Sequence, residues 1–445
     1  MSLRNVFCER IVLPLSDLLK GEKTARYFRF LRNTENWSRE QIDAYQNERL
    51  RLLVRHSVEH VPYYRDLFQQ LNLKSDDIQT KADLKKIPVV TKAIMKAEGT
   101  ERFTAEGFPK KEMIYERSGG STGEPLSYYV TKDSSSFNLA AKLHTWYQSG
   151  YRLGDRYMKI ANGNRGAFIK RLQDSINNSI FVPFNGASEE RLVEILKLID
   201  QKKSLYIRSY PIPLFLLAQY RNAHPEFHHC PRCIFTTGST LSEDYRREIE
   251  KAFGCKIIDS YSCEGNANVA ECITHSCYHV SEEYGVTEVI DSDGKDIENG
   301  IGKVVSTDLW NFAFPFIRYD TQDLVEVDES HCECGNQYKV IKRIMGRECE
   351  SFIASNGRFF TVHDFTGFLK LFPKVGEAIE AYQVVKKKDG SILLRFVVNS
   401  QFTEAMSQEV VQYWTEQLQK PVLLELVPEI PIMENNKRLS IIEEK

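Results

Sequence analysis

The chain has 445 residues, a length that suggests about three folding units of roughly 150 residues each. Its 59 Lys and Arg nearly balance 61 Asp and Glu, for a formal charge of −2, which leaves no bulk basic field for holding nucleic acid. The charged fraction of 27% and hydrophobic fraction of 42% are those of an ordinary globular protein. They exclude a disordered chain, a collagen and a membrane bundle, and no apolar run approaches the ~18–20 residues of a spanning helix.

The N-terminus carries Leu3, Val6, Phe7 and Ile11, then Leu15, Leu18 and Leu19, at helical spacing. The expectation is a helix docked on the domain; an interfacial helix making peripheral contact with a membrane is the alternative. Arg4, Glu9, Arg10 and Asp17 interrupt the apolar residues of Met1 to Lys20, so no secretion signal is read there. Glu40 to His60 is a second helical stretch, ended by Pro62.

From Lys111 short β-rich runs alternate with helical ones. Met113 to Tyr115, Leu126 to Val130, Tyr157 to Ala161, Ser204 to Ile207, Cys233 to Thr236 and Ile257 to Ile258 read as strands. Ser134 to Gln148, Ser188 to Gln201, Pro211 to Arg221 and Asp244 to Phe253 read as helices. Such alternation predicts an α/β fold with parallel βαβ layers. From Tyr278 the pattern is mostly β, with turns at Asp291 to Gly294 and Gly300 to Gly302. The C-terminal region reads as β-rich, then a helix over Thr403 to Gln419 and a strand over Val422 to Val427. The predicted organisation is a large domain over 1–347, made of a helical region (1–110), a βαβ region (111–277) and a β-rich region (278–347). A small α+β domain follows over 348–445.

The stretch Ser118-Gly119-Gly120-Ser121-Thr122-Gly123-Glu124-Pro125 follows the first of these strands. Three glycines let backbone N–H groups turn inward without Cβ clashes, and hydroxyls add donors, so the loop suits phosphate oxygens. It lacks the Gly-Lys-Ser/Thr ending of a Walker-type loop.

The string resembles the phosphate loop of adenylate-forming enzymes. Val61-Pro62-Tyr63-Tyr64-Arg65 and Leu84-Lys85-Lys86-Ile87-Pro88-Val89-Val90-Thr91-Lys92 are similar to the N-terminal signature of phenylacetate–CoA ligase and its capsular-polysaccharide relatives. The resemblance runs from about Leu50 to Lys437. It implies an ATP-dependent ligase that joins a carboxylate to AMP and passes the acyl group to a thiol or an amine. The large adenylate-forming domain would carry a small mobile C-terminal lid.

Further stations extend the resemblance. Thr236-Thr237-Gly238-Ser239-Thr240 is similar to the segment lining the adenine and acyl pocket. In Asp259-Ser260-Tyr261-Ser262-Cys263-Glu264, Tyr261 would stack on adenine and Glu264 would hold Mg²⁺. Ser262 stands where glycine is usual, and a strand-end turn with a solvated Glu is the bland alternative. Arg318-Tyr319-Asp320-Thr321-Gln322-Asp323 resembles the ribose segment, with Asp323 accepting both hydroxyls and Gln322 replacing a glycine. Arg347 of Met345-Gly346-Arg347 would contact ribose or phosphate, and Glu348-Cys349-Glu350 lies near the family's interdomain hinge. Lys437, in Asn435-Asn436-Lys437, would supply the cation of the adenylation step.

Of ten cysteines, seven fall between Cys255 and Cys349, which suggests metal ligands in a reducing cytoplasm rather than a disulfide framework. Cys272, His279, Cys332 and Cys334, the last two on an expected hairpin, could form a closed zinc site of the kind some family ligases carry. Cys277, His275 and His331 compete for it. Cys230-Pro231-Arg232-Cys233 reads as plain cysteines at a strand opening.

The function implied is transfer of a small carboxylic acid, such as an aryl acid, to coenzyme A by a monomer or homodimer. Its rivals are an amide ligase acylating an amino sugar or amino acid for surface polysaccharide, and a catalytically degenerate nucleotide-binding scaffold.

Overall fold

The structure, a computed structural model, describes residues 2–118, 126–161, 174, 177–184, 188–238, 241, 243–263, 268–328, 331–347, 351–353, 359–361, 365, 368, 372–430 and 441–444. They divide into two compact units. The larger takes the described residues up to Ser118, then Leu126–Thr321 and Val325–Ile344; the smaller takes Gln322–Leu324 and the chain from Met345.

The larger unit opens with α1 (Leu3–Phe7), a π-helical turn over Cys8–Val12, and α2 (Leu13–Lys20). This segment docks, as expected, but not through its apolar residues. Asn5 Nδ2 donates to the Leu153 carbonyl and to Asp155 Oδ1, both at 2.9 Å, and Asp17 Oδ2 accepts from the Ala25 N–H at 2.7 Å. Cys8 packs where a Cβ on Gly154 would sit 2.8 Å from its sulfur. The surface beneath offers a carbonyl, a carboxylate and a glycine gap, so polar and small groups face it. Leu3, Phe7, Ile11, Leu15, Leu18 and Leu19 are left exposed.

Next come α3 (Thr24–Thr34), α4 (Arg39–His60), α5 (Pro62–Gln70), α6 (Lys92–Glu98) and α7 (Thr100–Phe103). Ser38 and Gln41 form a capping box that starts α4, and Pro62 both ends α4 and opens α5. These helices share an aromatic core with α8 (Lys132–Gln148) and with residues some 250 positions later; Phe137 stacks on Trp310 at 4.0 Å.

Strands β1 (Met113–Arg117) and β2 (Ser127–Thr131) pair antiparallel. Then follow β3 (Tyr157–Ala161), β4 (Ser179–Pro183), α9 (Glu189–Lys202), β5 (Tyr206–Ser209), α10 (Pro211–Ala223), β6 (Cys233–Thr237), α11 (Glu243–Phe253) and β7 (Lys256–Ser262). The strands that follow are β8 (Asn268–Glu271), β9 (Tyr278–Val280), β10 (Gly285–Ile290), β11 (Gly300–Asp308), β12 (Tyr319–Val327), β13 (Val340–Ile341) and β14 (Arg343–Arg347), of which β12 and β14 each include residues of the smaller unit. Among the described residues they build a sheet in the order β13-β9-β8-β7-β6-β5-β3-β4 and a second in the order β10-β11-β12-β14. Strands β3 to β7 are parallel, as the alternation predicts; β8, β9 and β13 extend that sheet antiparallel.

Cys332 and Cys334 lie between β12 and β14, hydrogen-bonded neighbours in one sheet as an expected hairpin requires, but the connection crosses on the way to β13, which belongs to the other sheet.

The smaller unit contains β15 (Ser351–Ile353), β16 (Phe359–Thr361), α12 (Pro373–Ala378), β17 (Ile379–Lys386), β18 (Ile392–Val398), α13 (Glu404–Leu418), β19 (Val422–Leu426) and β20 (Ile441–Glu443). Its larger sheet runs β19-β18-β17-β20, and α13 seals it with Trp414, which stacks on Phe365 at 3.9 Å. The turn between β17 and β18 closes through Gly390 at φ +83°, with its N–H bonded to the Lys387 carbonyl. Among the described residues no helix is long and apolar enough to cross a membrane.

Candidate functional site

Ser118 sits at the root of the glycine loop. Its N–H donates to the Leu126 carbonyl at 2.9 Å, and its Oγ accepts from the Leu126 N–H at 2.8 Å. The antiparallel pair β1–β2 therefore clamps both ends of the loop. Gly119, Gly120, Ser121, Thr122 and Gly123 lie outside the described residues, as do Ser239, Glu264, the hinge stretch at Glu348–Glu350, and Lys437.

Gly238 ends β6 at φ +82°, and a Cβ there would meet the Tyr210 ring at 2.6 Å. Both the backbone angle and the close approach require glycine. Tyr261 lies at the end of β7, paired with Val269, and its half-buried ring packs against the apolar cluster around Val280 and Val304.

In β12, Asp323 is buried, and Arg347 of β14 brings its Nε to 3.7 Å from Asp323 Oδ1. The structure thus joins two of the sequence-predicted residues. Between Thr321 and Asp323, Gln322 adopts φ +63°, the left-handed conformation expected where glycine is usual.

The N-terminal signature has a plain structural role. Val90 donates its N–H to the Arg318 carbonyl at 2.8 Å and accepts from the Asp320 N–H at 2.9 Å, adding a one-residue rung beside β12. Buried Arg318 pairs with Glu288 at 3.0 Å and donates to the Ile87 carbonyl at 2.6 Å. The Ile87–Val90 segment therefore braces the start of the ribose strand.

Four predicted metal ligands converge. Cys272 Sγ, His279 Nε2, Cys332 Sγ and Cys334 Sγ all lie within 4.8 Å of one another. Cys272 and Cys332 are 3.7 Å apart, as are Cys334 and His279. A tetrahedron with zinc–sulfur bonds of about 2.3 Å has sulfur–sulfur edges of about 3.8 Å, so the donor set fits a closed zinc site. Burial, with His275 adding, pushes the His279 imidazole down and keeps it in the neutral form that binds metals. A polar cleft of about 600 Å³ opens beside the cluster, lined in part by His144, Glu271 and Glu283.

Sequence reasoning missed a buried network beneath Tyr261. Asp259 Oδ1 accepts from Thr236 Oγ1 at 2.6 Å and Oδ2 from the Tyr278 hydroxyl at 3.1 Å. Glu271 accepts from the Asp259 N–H at 3.0 Å and pairs with Arg246 at 2.9 Å. Burial pushes the Asp259 carboxyl above its usual range. The network ties β6, β7, β8, β9 and α11 together where Gly238 and Tyr261 emerge. Thr236 and Asp259 stand in motif strings, but nothing in those strings announces their pairing or their partners Arg246, Glu271 and Tyr278, which are spread over some forty residues.

No family model matches the chain. Among curated proteins it is 25% identical over 393 residues to phenylacetate–coenzyme A ligase of Thermus thermophilus, covering 85% of this chain and 86% of that one. It is 25% identical over 312 residues to protein CapK of Staphylococcus aureus, covering 68% of this chain and 67% of that one. Among solved structures it is similar to 2-hydroxyisobutyryl-CoA ligase in its postadenylation state, with a TM-score of 0.70 and 18% identity over 92% of this chain and 91% of that one. ATP-bound MatB from Rhodopseudomonas palustris is matched at TM-score 0.51 and 16% identity, over 74% of this chain and 66% of that one.

The fold is that of the adenylate-forming ligases. Within it, the protein is a distant homologue of the phenylacetate–coenzyme A ligases and of CapK.

Proposed function

We propose that this protein is an ATP-dependent ligase that converts a carboxylic acid to its acyl-adenylate and passes the acyl group to coenzyme A. The carrying observation is the pairing of Asp323 with Arg347 at the station where a ribose contact is expected, in a chain homologous along 85% of its length to a coenzyme A ligase.

In this reading Ser118 and the loop to Gly123 hold the phosphates. Gly238, Ser239 and Tyr261 border the base. Asp323 accepts hydrogen bonds from the ribose hydroxyls, with Arg347 beside it. A carboxylate oxygen attacks the α-phosphorus, the bond to the bridging oxygen breaks, and pyrophosphate leaves. Lys437 meets the charge that grows on the phosphate oxygens. The thiol sulfur then attacks the acyl carbon, AMP leaves with the bonding electron pair, and the thiol proton passes to water. Magnesium would neutralise phosphate charge, and the Glu264 carboxylate is the hard oxygen ligand suited to it. Cys272, His279, Cys332 and Cys334 would hold a structural zinc that fixes the β12–β13 crossing. A reducing cytoplasm fits these thiols, since none of the nine described cysteines is in a disulfide.

The match to CapK favours a second reading, an amide-forming ligase whose acceptor is an amine on a polysaccharide precursor. ATP–pyrophosphate exchange across aryl, fatty, amino and sugar acids tests the shared first half. Exchange with at least one acid supports it; none across the panel would sink it in favour of a nucleotide-binding scaffold. Supplying coenzyme A against amines then separates the two acceptors.

A further inference from the structure

The central sheet carries a row of charge where apolar residues are expected. In register across four parallel strands stand Phe181 of β4, Lys159 of β3, Arg208 of β5 and Phe235 of β6. In-register neighbours share a face. The opposite face, with Met158, Ile160, Val182, Ile207 and Ile234, is the apolar core under α9 to α11. The charged row instead faces α8. There Trp146 stacks on Phe235 at 4.6 Å, and the Arg208 guanidinium lies 5.8 Å from the Trp146 ring centre. Lys159 lies 5.9 Å from the Phe181 ring centre. One turn back along α8 from Trp146 comes Lys142, whose charged neighbours are Arg208 and Lys159.

Three half-buried cations thus share one aromatic-walled patch. Among the described residues, neither Lys142 nor Arg208 has a carboxylate at ion-pair distance. Burial pushes the Lys142 ammonium down to about 8, with Arg208 and Lys159 adding to the shift, and burial also lowers Arg208. Withdrawing Lys142 and Arg208 from water with no carboxylate beside them costs stability, and such strain is retained where a ligand relieves it.

The patch also stands at the right end of the sheet. Arg208 is the penultimate residue of β5 and feels the Tyr210 hydroxyl, and the Tyr210 ring covers Gly238 at the end of β6. Open α/β sheets bind their ligands beyond the carboxyl ends of their strands.

We propose that Lys142, Lys159 and Arg208 form an anion subsite that receives a second negative group, a carboxylate or phosphate ester, on the acid to be activated. The substrate class is then a polyanionic acid, not a neutral aryl or fatty acid. This rests on the ligase reading for the identity of the occupant, while the anion subsite stands on its own geometry. A neutral acyl group would leave Lys142 and Arg208 desolvated with no anion to face; a dianionic donor supplies one, with Trp146 and Phe181 walling off water.

The test uses matched acids that differ by one anionic group: hexanoate against adipate, phenylacetate against 4-carboxyphenylacetate, and glycerate against 3-phosphoglycerate. Calorimetric titration of the full chain at pH 7 reads the affinity ratio within each pair. At least one pair should favour the doubly charged member by 10-fold or more. Lys142→Met and Arg208→Met should each shrink that ratio at least 5-fold, while Lys142→Arg keeps it. Lys142→Met should also raise the melting temperature of the ligand-free protein, which separates loss of binding from loss of fold. No advantage in any pair overturns the proposal, as does an advantage that survives both Met variants. A defect confined to the KM for coenzyme A overturns it too, since the cations then serve cosubstrate phosphates. ATP–pyrophosphate exchange with the same acids keeps the two readings apart. A cation-dependent advantage without exchange leaves the anion subsite standing and removes the ligase.

Discussion

Asp323 is a buried carboxylate beside Arg347, at the station where ribose hydroxyls are expected. A charge-assisted hydrogen bond contributes about 1.5–3 kcal/mol, so Asp323→Ala should raise the KM for ATP by roughly 10- to 100-fold in the exchange assay. In the proposed mechanism Lys437 differs in kind, because its charge would matter only while pyrophosphate departs. Lys437→Ala should slow adenylation on the order of 10²-fold or more. Acylation of the acceptor from a supplied acyl-adenylate should suffer far less, and equal losses in both half-reactions would remove Lys437 from the mechanism. Gln322 holds φ +63°, a conformation that costs a non-glycine residue about 1–2 kcal/mol. Gln322→Gly should therefore raise unfolding free energy by about 1 kcal/mol after the entropy of the added glycine, as read by denaturant titration. Lys142 titrates near its ordinary 10.5 when unfolded but near 8 when folded, facing Lys159 and Arg208. Between those values the unfolded chain binds the extra proton, so this group makes stability rise as pH climbs from about 8 to about 10.5. Thermal melts of Lys142→Met should lose that component of the pH dependence.

At the scale of elements, the parallel core is readable because most of its strands are short, largely apolar runs, and helices separate β4, β5, β6 and β7. The antiparallel extension is not. Strands β8 and β9 span four and three residues and owe their pairing to neighbours rather than to pattern. At Cys332 the connection between the paired strands β12 and β14 detours through β13 of the other sheet, and the Cys-x-Cys-Gly turn does not announce that detour. The N-terminal apolar spacing is legible as a helix, but not its orientation, which Asn5 and Asp17 decide. Motif residues such as Gly238 and Asp323 stand out as strings. Lys142, Lys159 and Arg208 do not, since each reads alone as a solvated side chain until strand register aligns them. On the zinc reading, the crossing that holds Cys332 and Cys334 should depend on a bound metal. Purified protein, dialysed without chelator, should contain about one equivalent of zinc by elemental analysis. Cys332→Ser should lose it and melt several degrees lower. Well under one equivalent in the parent protein would leave the four side chains as reduced thiols around a histidine.

Across the whole molecule, the larger unit is stitched by contacts remote in sequence. Thr34 donates to Glu283 at 2.5 Å across 249 positions, and the Tyr64 hydroxyl donates to the Pro315 carbonyl across 251. Gln46 reaches the Glu282 and Gly285 carbonyls, both at 3.0 Å. The chain up to Ala141 thus supplies most of a core that Tyr284 to Tyr319 complete from far downstream. At about 5–20 residues per second of synthesis, that partner surface emerges roughly 12–50 s after Thr34 leaves the ribosome. Through that interval the early core around Phe28, Leu31, Leu53 and Tyr64 lacks the aromatic cap of Trp310, Phe314 and Phe316, so a growing chain of this kind carries an unfinished apolar face for most of its synthesis.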